Sequence, residues 1–391
     1  MTALSEIFVG ANAERSRSHN RQMVLGRVRA AGEVGRAEIT KTSGLSTQAV
    51  SNIIADLLED GLLVESGRRT AGRGLPAVQY RLNPKGGFAA GVEIRADAVF
   101  AALLDLCGNT LASERSSLKA LDRTTVTQTV VNTQKKLLKD TNASPDRLLG
   151  AGIVMPGPFG STGLRGSRSD GPLWDDIAPD EWFSETLGLP VAVENDANAA
   201  AIAERISGVA QGLDTYAFIY FGNGLGLGAV HKGQIISGAF GNAGEIGHIP
   251  VPSKGKTILL EDAVSRFSVQ RALAEENIDV ERADALDRLY RDAHPALTRW
   301  LDAAIEPLSV AITIVENLLD PQAIILGGAM PDSILDHFVD TLRLSDHSVS
   351  NRSDRSGPRL LRGASGRMTA TLGAAALIIN QAFTPKISAQ V

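Results

Sequence analysis

The sequence contains one cysteine and no long apolar run, and each scarcity excludes a class of protein. A single cysteine, Cys107, excludes an internal disulfide and a zinc site built from several thiolates. Apolar runs such as residues 374–379 are far shorter than the roughly 20 residues of a membrane-spanning helix. The N-terminus has no basic stretch followed by an apolar core, so we expect no secretory signal. These features predict a cytoplasmic protein.

Positive charge is also in deficit, but not at the N-terminus. The 391 residues carry 39 Lys and Arg against 44 Asp and Glu, a formal net charge of −5. Residues 1–85 carry 12 basic and 8 acidic side chains, a net +4, and the remaining residues carry 27 and 36, a net −9. A basic head on an acidic body is typical of a DNA-binding module joined to another domain. The length likewise favours two or three domains.

The basic segment has the pattern of a winged helix-turn-helix. Residues 21–30 carry apolar side chains on one side, and a short helix follows from Arg36 to a glycine at position 44. Ser46 is placed to cap a third helix, whose apolar residues recur at i, i+3, i+4 and i+7. Two short strands, 62–65 and 78–82, flank a basic, glycine-rich wing tip. An amphipathic helical subdomain with a solvated polar face is the competing interpretation.

The polar side chains of this segment predict a DNA interface. Gln48 and Asn52 can form paired hydrogen bonds with adenine, whereas hydroxyl groups and the arginines of the wing suit phosphates or a narrow minor groove. Because one small module seldom reaches operator specificity, we expect a homodimer or a dimer of dimers on operator DNA. The predicted DNA contacts are Arg36, Ser46, Thr47, Gln48, Ser51, Asn52, Arg68, Arg69 and Arg73.

A run of turn-forming residues, Asn83-Pro-Lys-Gly-Gly87, marks the best domain boundary. After it strands alternate with helices, which predicts a mixed α/β body. We therefore expect a head over residues 1–83 and a body over 84–391. The body divides into lobes near 84–200 and 201–391, with the last helix a candidate to return to the first lobe.

Two polar segments of the body suggest a binding site. Glu194-Asn-Asp-Ala-Asn198 lies where a strand passes into a helix, and Asn195 and Asp196 can hold vicinal hydroxyls there. In a kinase such an aspartate would also deprotonate the attacking hydroxyl, whereas the simplest alternative is a helix cap. In Gly241-Asn-Ala-Gly-Glu-Ile-Gly-His248, Glu245 and His248 can bind hydroxyls, a metal, or neither.

The body contains four motifs in order: Gly152-Ile-Val-Met-Pro-Gly-Pro158, Glu194-Asn-Asp-Ala-Asn-Ala-Ala200, Gly222-Asn-Gly-Leu-Gly-Leu-Gly228 and Gly244-Glu-Ile-Gly-His248. They resemble those of the ROK family, which groups repressors, open reading frames and sugar kinases on an actin/hexokinase-like (ribonuclease H-like) fold. The head resembles the branch of xylose and N-acetylglucosamine repressors. The resemblance implies a sugar site of Asn195, Asp196, Glu245, His248 and a further glutamate, which aligns with Glu261.

The chain departs from this family in two places. Its zinc-binding cysteines are missing from Pro252-Ser-Lys-Gly-Lys-Thr-Ile-Leu-Leu-Glu261, so we expect no metal, and the Glu261 alignment crosses this altered stretch. Kinases of the fold begin the body with Asp-x-Gly-Gly-Thr, but this chain has Glu93-Ile-Arg-Ala-Asp97, and Asn223 replaces a usual threonine. Arg95 could attract phosphate, yet the backbone cradle is lost.

These departures predict a non-catalytic kinase homologue. We expect a sugar-responsive repressor that binds neither ATP nor zinc, with Asp196, the position of the kinase base, kept for hydroxyl recognition. An active sugar kinase with a regulatory head is the main alternative. A body that binds another protein is the third.

Overall fold

The computed structural model describes residues 3–69, 76–95, 97–159, 174, 177–253, 255–280, 283–364 and 366–383, without the side chains of 3–15 and 283. The predicted DNA contact Arg73 and the wing tip at residues 70–75 lie outside the described residues. In the part that is described, no helix combines the length and apolar character needed to cross a membrane.

The head is a winged helix-turn-helix, as predicted. It consists of α1 (Ala3–Ala31), β1 (Val34–Gly35), α2 (Arg36–Ser43), α3 (Thr47–Glu59), β2 (Leu63–Arg69) and β3 (Ala77–Leu82), with strand order β1-β3-β2. Gly44, at φ +70°, ends α2, and the Ser46 hydroxyl accepts a hydrogen bond from the Ala49 amide at 3.2 Å to begin α3. The apolar face of α3 is buried.

Two head elements are longer than the sequence pattern predicts. Helix α1 begins at Ala3 rather than near residue 21, because its buried stripe of Val24, Leu25 and Val28 marks only the C-terminal part. Strand β2 continues to Arg69 through a bulge between Glu65 and Gly67. The residues after Glu65 are polar or glycine, so they show no alternation of apolar and polar side chains that would predict a strand.

The body contains two five-stranded sheets of the same design. Each combines three antiparallel strands with two parallel ones, in the orders β6-β5-β4-β7-β8 and β11-β10-β9-β14-β15. Strands β12 and β13 form a separate two-stranded sheet. The strands of the body are β4 (Phe88–Ile94), β5 (Ala98–Asp105), β6 (Thr110–Ser117), β7 (Leu148–Met155), β8 (Val191–Asn195), β9 (Tyr216–Phe221), β10 (Leu225–His231), β11 (Gln234–Ile235), β12 (Pro250–Ser253), β13 (Lys256–Leu259), β14 (Ile324–Gly328) and β15 (Leu360–Arg362). This mixed α/β arrangement is the actin/hexokinase-like fold that the motifs predict.

The helices of the body cover these sheets. They are α4 (Arg123–Thr141), α5 (Pro179–Leu187), α6 (Asp196–Ser207), α7 (Leu260–Ala263), α8 (Arg266–Ala274), α9 (Ala283–Arg291), α10 (Pro295–Leu319), α11 (Asp332–Thr341) and α12 (Thr369–Phe383). Helix α12 packs on β4 and β7 of the first sheet and against α6. Its C-terminal end belongs to an apolar core that continues into the head through α1.

Candidate functional site

Asn195 and Asp196 lie where β8 ends and α6 begins. The Asn195 Oδ1 and the Asp196 Oδ1 each accept a hydrogen bond from the Ala197 amide at 2.8 Å, so both side chains take part in starting the helix. The capping interpretation is therefore correct in part. The second polar atom of each side chain, Asn195 Nδ2 and Asp196 Oδ2, lies beside a glycine of the cleft. A methyl group built at Gly157 would lie 2.9 Å from Asn195 Nδ2, and one at Gly222 would lie 3.4 Å from Asp196 Oδ2.

Glu245 and His248 are presented by a tight glycine turn from the second lobe. Gly244 has φ +98°, and a methyl group there would lie 1.9 Å from the Leu227 carbonyl oxygen, so only glycine fits. The following 3-10 turn places Glu245 Oε2 3.8 Å from His248 Nε2. Both side chains are partly buried, at 26% and 18% exposure, and so remain reachable by a small ligand.

Glu261 reaches the same place from α7. Its Oε2 would lie 2.7 Å from a methyl group at Gly224 and 3.0 Å from one at Gly247. Burial raises the pKa of Glu245, the nearby His248 lowers it, and the charge of Glu261 raises it. The structure therefore brings Asn195, Asp196, Glu245, His248 and Glu261 together in one polar cleft, with residues from both lobes.

Asp196 lies between the polar cleft and two further charged side chains, Glu93 and Arg95. Burial raises its pKa to about 7, and the charges of Glu93 and Glu245 act in the same direction. The Ala197 amide and the Arg95 guanidinium lower it. Near neutral pH this carboxyl group can therefore either donate or accept a hydrogen bond.

Beside Asp196, Glu93 and Arg95 form a buried ion pair, in the segment that the sequence motif aligns with the kinase phosphate loop. Arg95 Nε donates to Glu93 Oε1 at 2.6 Å and Arg95 Nη2 to Glu93 Oε2 at 3.0 Å. Tyr220 Oη donates to Glu93 Oε1 at 3.0 Å and Thr371 Oγ1 to Glu93 Oε2 at 2.7 Å. We call these four residues the Glu93 cluster. Both oxygens of the Glu93 carboxylate accept hydrogen bonds within this cluster, and its negative charge compensates the positive charge of Arg95.

Sequence reasoning missed three further residues of this region. Tyr220 lies among buried apolar residues of β9. A hydroxyl group in such a strand needs a hydrogen-bond partner, and this was the feature of the sequence that could have indicated a polar neighbour. Arg266, the first residue of α8, lines a cavity next to the polar cleft together with Asp196 and Arg95, and burial lowers the pKa of its guanidinium. Asn242 joins the lobes, because its Oδ1 accepts from the Phe159 amide at 2.7 Å and its Nδ2 donates to the Phe159 carbonyl at 2.9 Å.

The stretch that aligns with the zinc-binding segment of the resembled family forms a β-hairpin here. Strands β12 and β13 pair as a hairpin, with Val251 fully buried against the core. Among the residues with described positions, no three His, Cys, Asp or Glu side chains are grouped as a metal would require. The residues present do not fit a zinc site.

The predicted DNA contacts among the described residues are distributed over α2, α3 with its cap, and β2. Gln48 and Asn52 are exposed on α3 and joined by a 2.9 Å hydrogen bond. Arg36 Nη2 donates to Tyr80 Oη at 3.2 Å, and Arg68 and Arg69 are exposed on β2. The hydroxyls serve the helix itself: Ser46 caps it, and Ser51 donates to the Thr47 carbonyl at 2.8 Å.

Comparison with known sequences gives related proteins of two kinds. The sequence profile of the ROK family matches residues 89–381. The xylose repressor of Bacillus spizizenii is 24% identical over 320 residues, which cover 80% of this chain and 83% of the repressor. A glucokinase of Halalkalibacterium halodurans is 31% identical over 230 residues, which cover 52% of this chain and 68% of the kinase.

Solved structures show the same fold. A ROK family transcriptional regulator homologous to the E. coli MLC protein has a TM-score of 0.71 and 23% identity, covering 95% of this chain and 98% of its own. A ROK family glucokinase from Streptomyces griseus, in complex with glucose and AMPPNP, has a TM-score of 0.58 and 22% identity, covering 74% of this chain and 99% of its own. The similarity to the regulator extends over the head as well as the body.

Proposed function

The chain belongs to the ROK family, and we propose that it is a transcriptional repressor that responds to a sugar. Residues 1–83 bind operator DNA, and residues 84–391 bind the effector. One observation carries the proposal: a cleft of five polar side chains occurs in the same chain as a winged helix-turn-helix with an exposed recognition helix. A homodimer would supply the two heads that an operator of two half-sites needs.

The chemistry of the polar cleft suits a ligand rich in hydroxyl groups. The carboxylates of Asp196, Glu245 and Glu261 would accept hydrogen bonds from adjacent hydroxyls, while Asn195 Nδ2 would donate one. His248 beside Glu245 would serve as donor or acceptor according to its tautomer. Because three acceptors stand close together, the cleft favours a neutral polyol over an anion.

We further propose that this sugar is bound and not phosphorylated. Phosphoryl transfer needs nucleotide phosphates and magnesium held in place. Support comes from the Glu93 cluster, in which Arg95, paired with the buried Glu93, occupies a position where the kinase motif has a glycine. Neither ATP nor zinc is then a cofactor of this chain.

The alternative, an active sugar kinase with a regulatory head, is favoured by two observations. One is the 31% identity to a glucokinase. The other is the pKa of Asp196 near 7, which suits a general base. Incubation with ATP, magnesium and a panel of hexoses, pentoses and amino sugars distinguishes the two, since the repressor function predicts no sugar-dependent ATP consumption.

The test of the effector site uses operator fragments and fluorescence anisotropy. Native chain should lose or gain operator affinity when the correct sugar is added, and Asp196→Ala should bind the operator but ignore the sugar. Asp302→Ala, an exposed carboxylate on α10, is the matched control and should respond like the native chain. A normal sugar response of Asp196→Ala would refute the assignment of the cleft.

The sugar itself can be found beforehand by a thermal-shift screen. A ligand at 100 times its dissociation constant stabilises the native state by about 2.7 kcal/mol. A protein effector in place of a sugar would appear as release of operator by cell extract but by no sugar of the panel.

A further inference from the structure

Helix α12 contacts both the elements that carry the polar cleft and the first helix of the head. It has 15 residues and, at 1.5 Å per residue, is about 22 Å long. Residues 371–375 lie against α6, β4 and β7, and Asn380, Gln381 and Phe383 contact α1. One hydrogen-bonded element thus connects the site to the DNA-binding module.

At the cleft end the contact is backbone against backbone. A methyl group at Gly373 would lie 1.8 Å from the Ala199 carbonyl oxygen, and Ala199 is in the first turn of α6, which begins at Asp196. Methyl groups at Gly91 of β4 and Gly152 of β7 would lie 2.1 and 2.0 Å from carbonyl oxygens of α12. Close-packed surfaces of this kind cannot slide without collision, so a shift of α6 must move α12.

A hydrogen bond provides a second connection at the same end. Thr371, in the first turn of α12, donates to the buried carboxylate of Glu93 at 2.7 Å. Glu93 in turn interacts electrostatically with Asp196 of the polar cleft. A change of charge or position at Asp196 therefore acts on α12 by two routes.

At the head end α12 is held by polar and apolar contacts together. Arg29 Nη1 donates to Asn380 Oδ1 at 2.7 Å, and the Arg29 guanidinium lies 4.9 Å from the centre of the Phe383 ring. Gln22 Nε2 donates to the Gln381 carbonyl at 3.1 Å. Phe383, only 6% exposed, shares an apolar core with the buried residues of α1.

We propose that α12 transmits occupancy of the polar cleft to the head, by moving its Phe383 end against α1. The inference rests on the proposed function, because it requires a sugar in the cleft and an operator on the head. A sugar that binds one arrangement of α6 and α12 better than another shifts the population of head positions by the same factor. By linkage, operator DNA changes sugar affinity equally.

The experiment measures operator Kd with and without saturating sugar, and sugar Kd by calorimetry, in the full chain. Couplings between sites are commonly about 5- to 150-fold. Phe383→Ala should bring the ratio of operator Kd values to within about 2-fold of one while leaving a cleft that binds sugar. Leu318→Ala, which truncates a side chain that is 76% exposed on α10, is the control and should keep the native ratio.

Asn380→Ala provides a milder variant, because it removes the Arg29 hydrogen bond but keeps Phe383. It should reduce the ratio in part, and it decides the question if Phe383→Ala does not fold. An undiminished ratio in the folded variants overturns the role of α12 while the proposed function stands. A native chain that binds a panel sugar at no measurable affinity, or binds it without any change in operator Kd, contradicts the proposed function, and the role of α12 falls with it.

Discussion

Removal of the Arg95 guanidinium should destabilise the body severely, because Glu93 would remain buried without its counter-charge. The side chains of the pair are 14% and 3% exposed and share two hydrogen bonds of 2.6 and 3.0 Å. Breaking a buried pair from one side costs about 3–5 kcal/mol. Because Tyr220 and Thr371 still donate to Glu93, we expect Arg95→Met to lie near the lower limit.

Urea unfolding followed by tryptophan fluorescence measures this loss, since all three tryptophans, at positions 174, 182 and 300, are in the body. At about 3 kcal/mol per M the urea midpoint should fall by roughly 1 M. Arg115→Met is the matched control, because both guanidinium groups lie over the Phe100 ring, Arg95 at 4.1 Å and Arg115 at 5.6 Å from its centre. The pair of Arg115 with Asp97 is exposed and contributes less than about 1 kcal/mol. A midpoint for Arg95→Met within about 0.2 M of the native value would refute this account of the Glu93 cluster.

Three further predictions concern the cleft, the recognition helix and the close packing of α12. Because the pKa of Asp196 is raised to about 7 in the folded state, its carboxyl group favours folding at low pH, and that contribution is lost as pH rises through 7. Asp196→Asn should therefore unfold at a higher temperature than the native chain at pH 8, with a smaller difference at pH 5. Equal differences at both pH values would contradict it. Gln48→Ala should cost about 1–3 kcal/mol at one base position, whereas Arg69→Ala should weaken all operators alike, as binding to a set of single-base operator variants will show. Gly373→Ala places a methyl group 1.8 Å from a carbonyl oxygen and should cost about 1–3 kcal/mol or more in urea unfolding; native stability would be the contrary result.

Local signals in the sequence account for much of the head. The glycine at 44, the cap at Ser46 and the apolar stripe of α3 act within a few residues, so their structural effect is readable from spacing alone. The N-terminal part of α1 has no such stripe, which is why its extent was not predicted. Strand β15 has three residues, too few to show a period.

The polar cleft was predictable by a different route. Its five residues come from three separate segments, and only the motifs of the resembled family indicated that they meet. Glu261, which was aligned across an altered stretch, lies beside Gly224 and Gly247 in the structure. Whether these residues bind a sugar stays a prediction.

The Glu93 cluster was not predictable, because its partners are remote in sequence. Tyr220 is 127 residues from Glu93 and Thr371 is 278 residues away. The sequence showed only that Arg95 replaces a glycine, and left open whether it would attract phosphate. In the structure the Arg95 guanidinium donates a hydrogen bond to Glu93, which lies two residues earlier, in β4.

The proposed function requires the chain to bind a sugar but not a nucleotide. Its most direct test is calorimetric titration of the full chain, once with the sugar chosen by thermal shift and once with ATP and magnesium. We expect saturable heat with the sugar, absent in Asp196→Ala, and no saturable heat with ATP and magnesium. Tight binding of ATP and magnesium, or sugar binding that survives Asp196→Ala unchanged, would contradict the account.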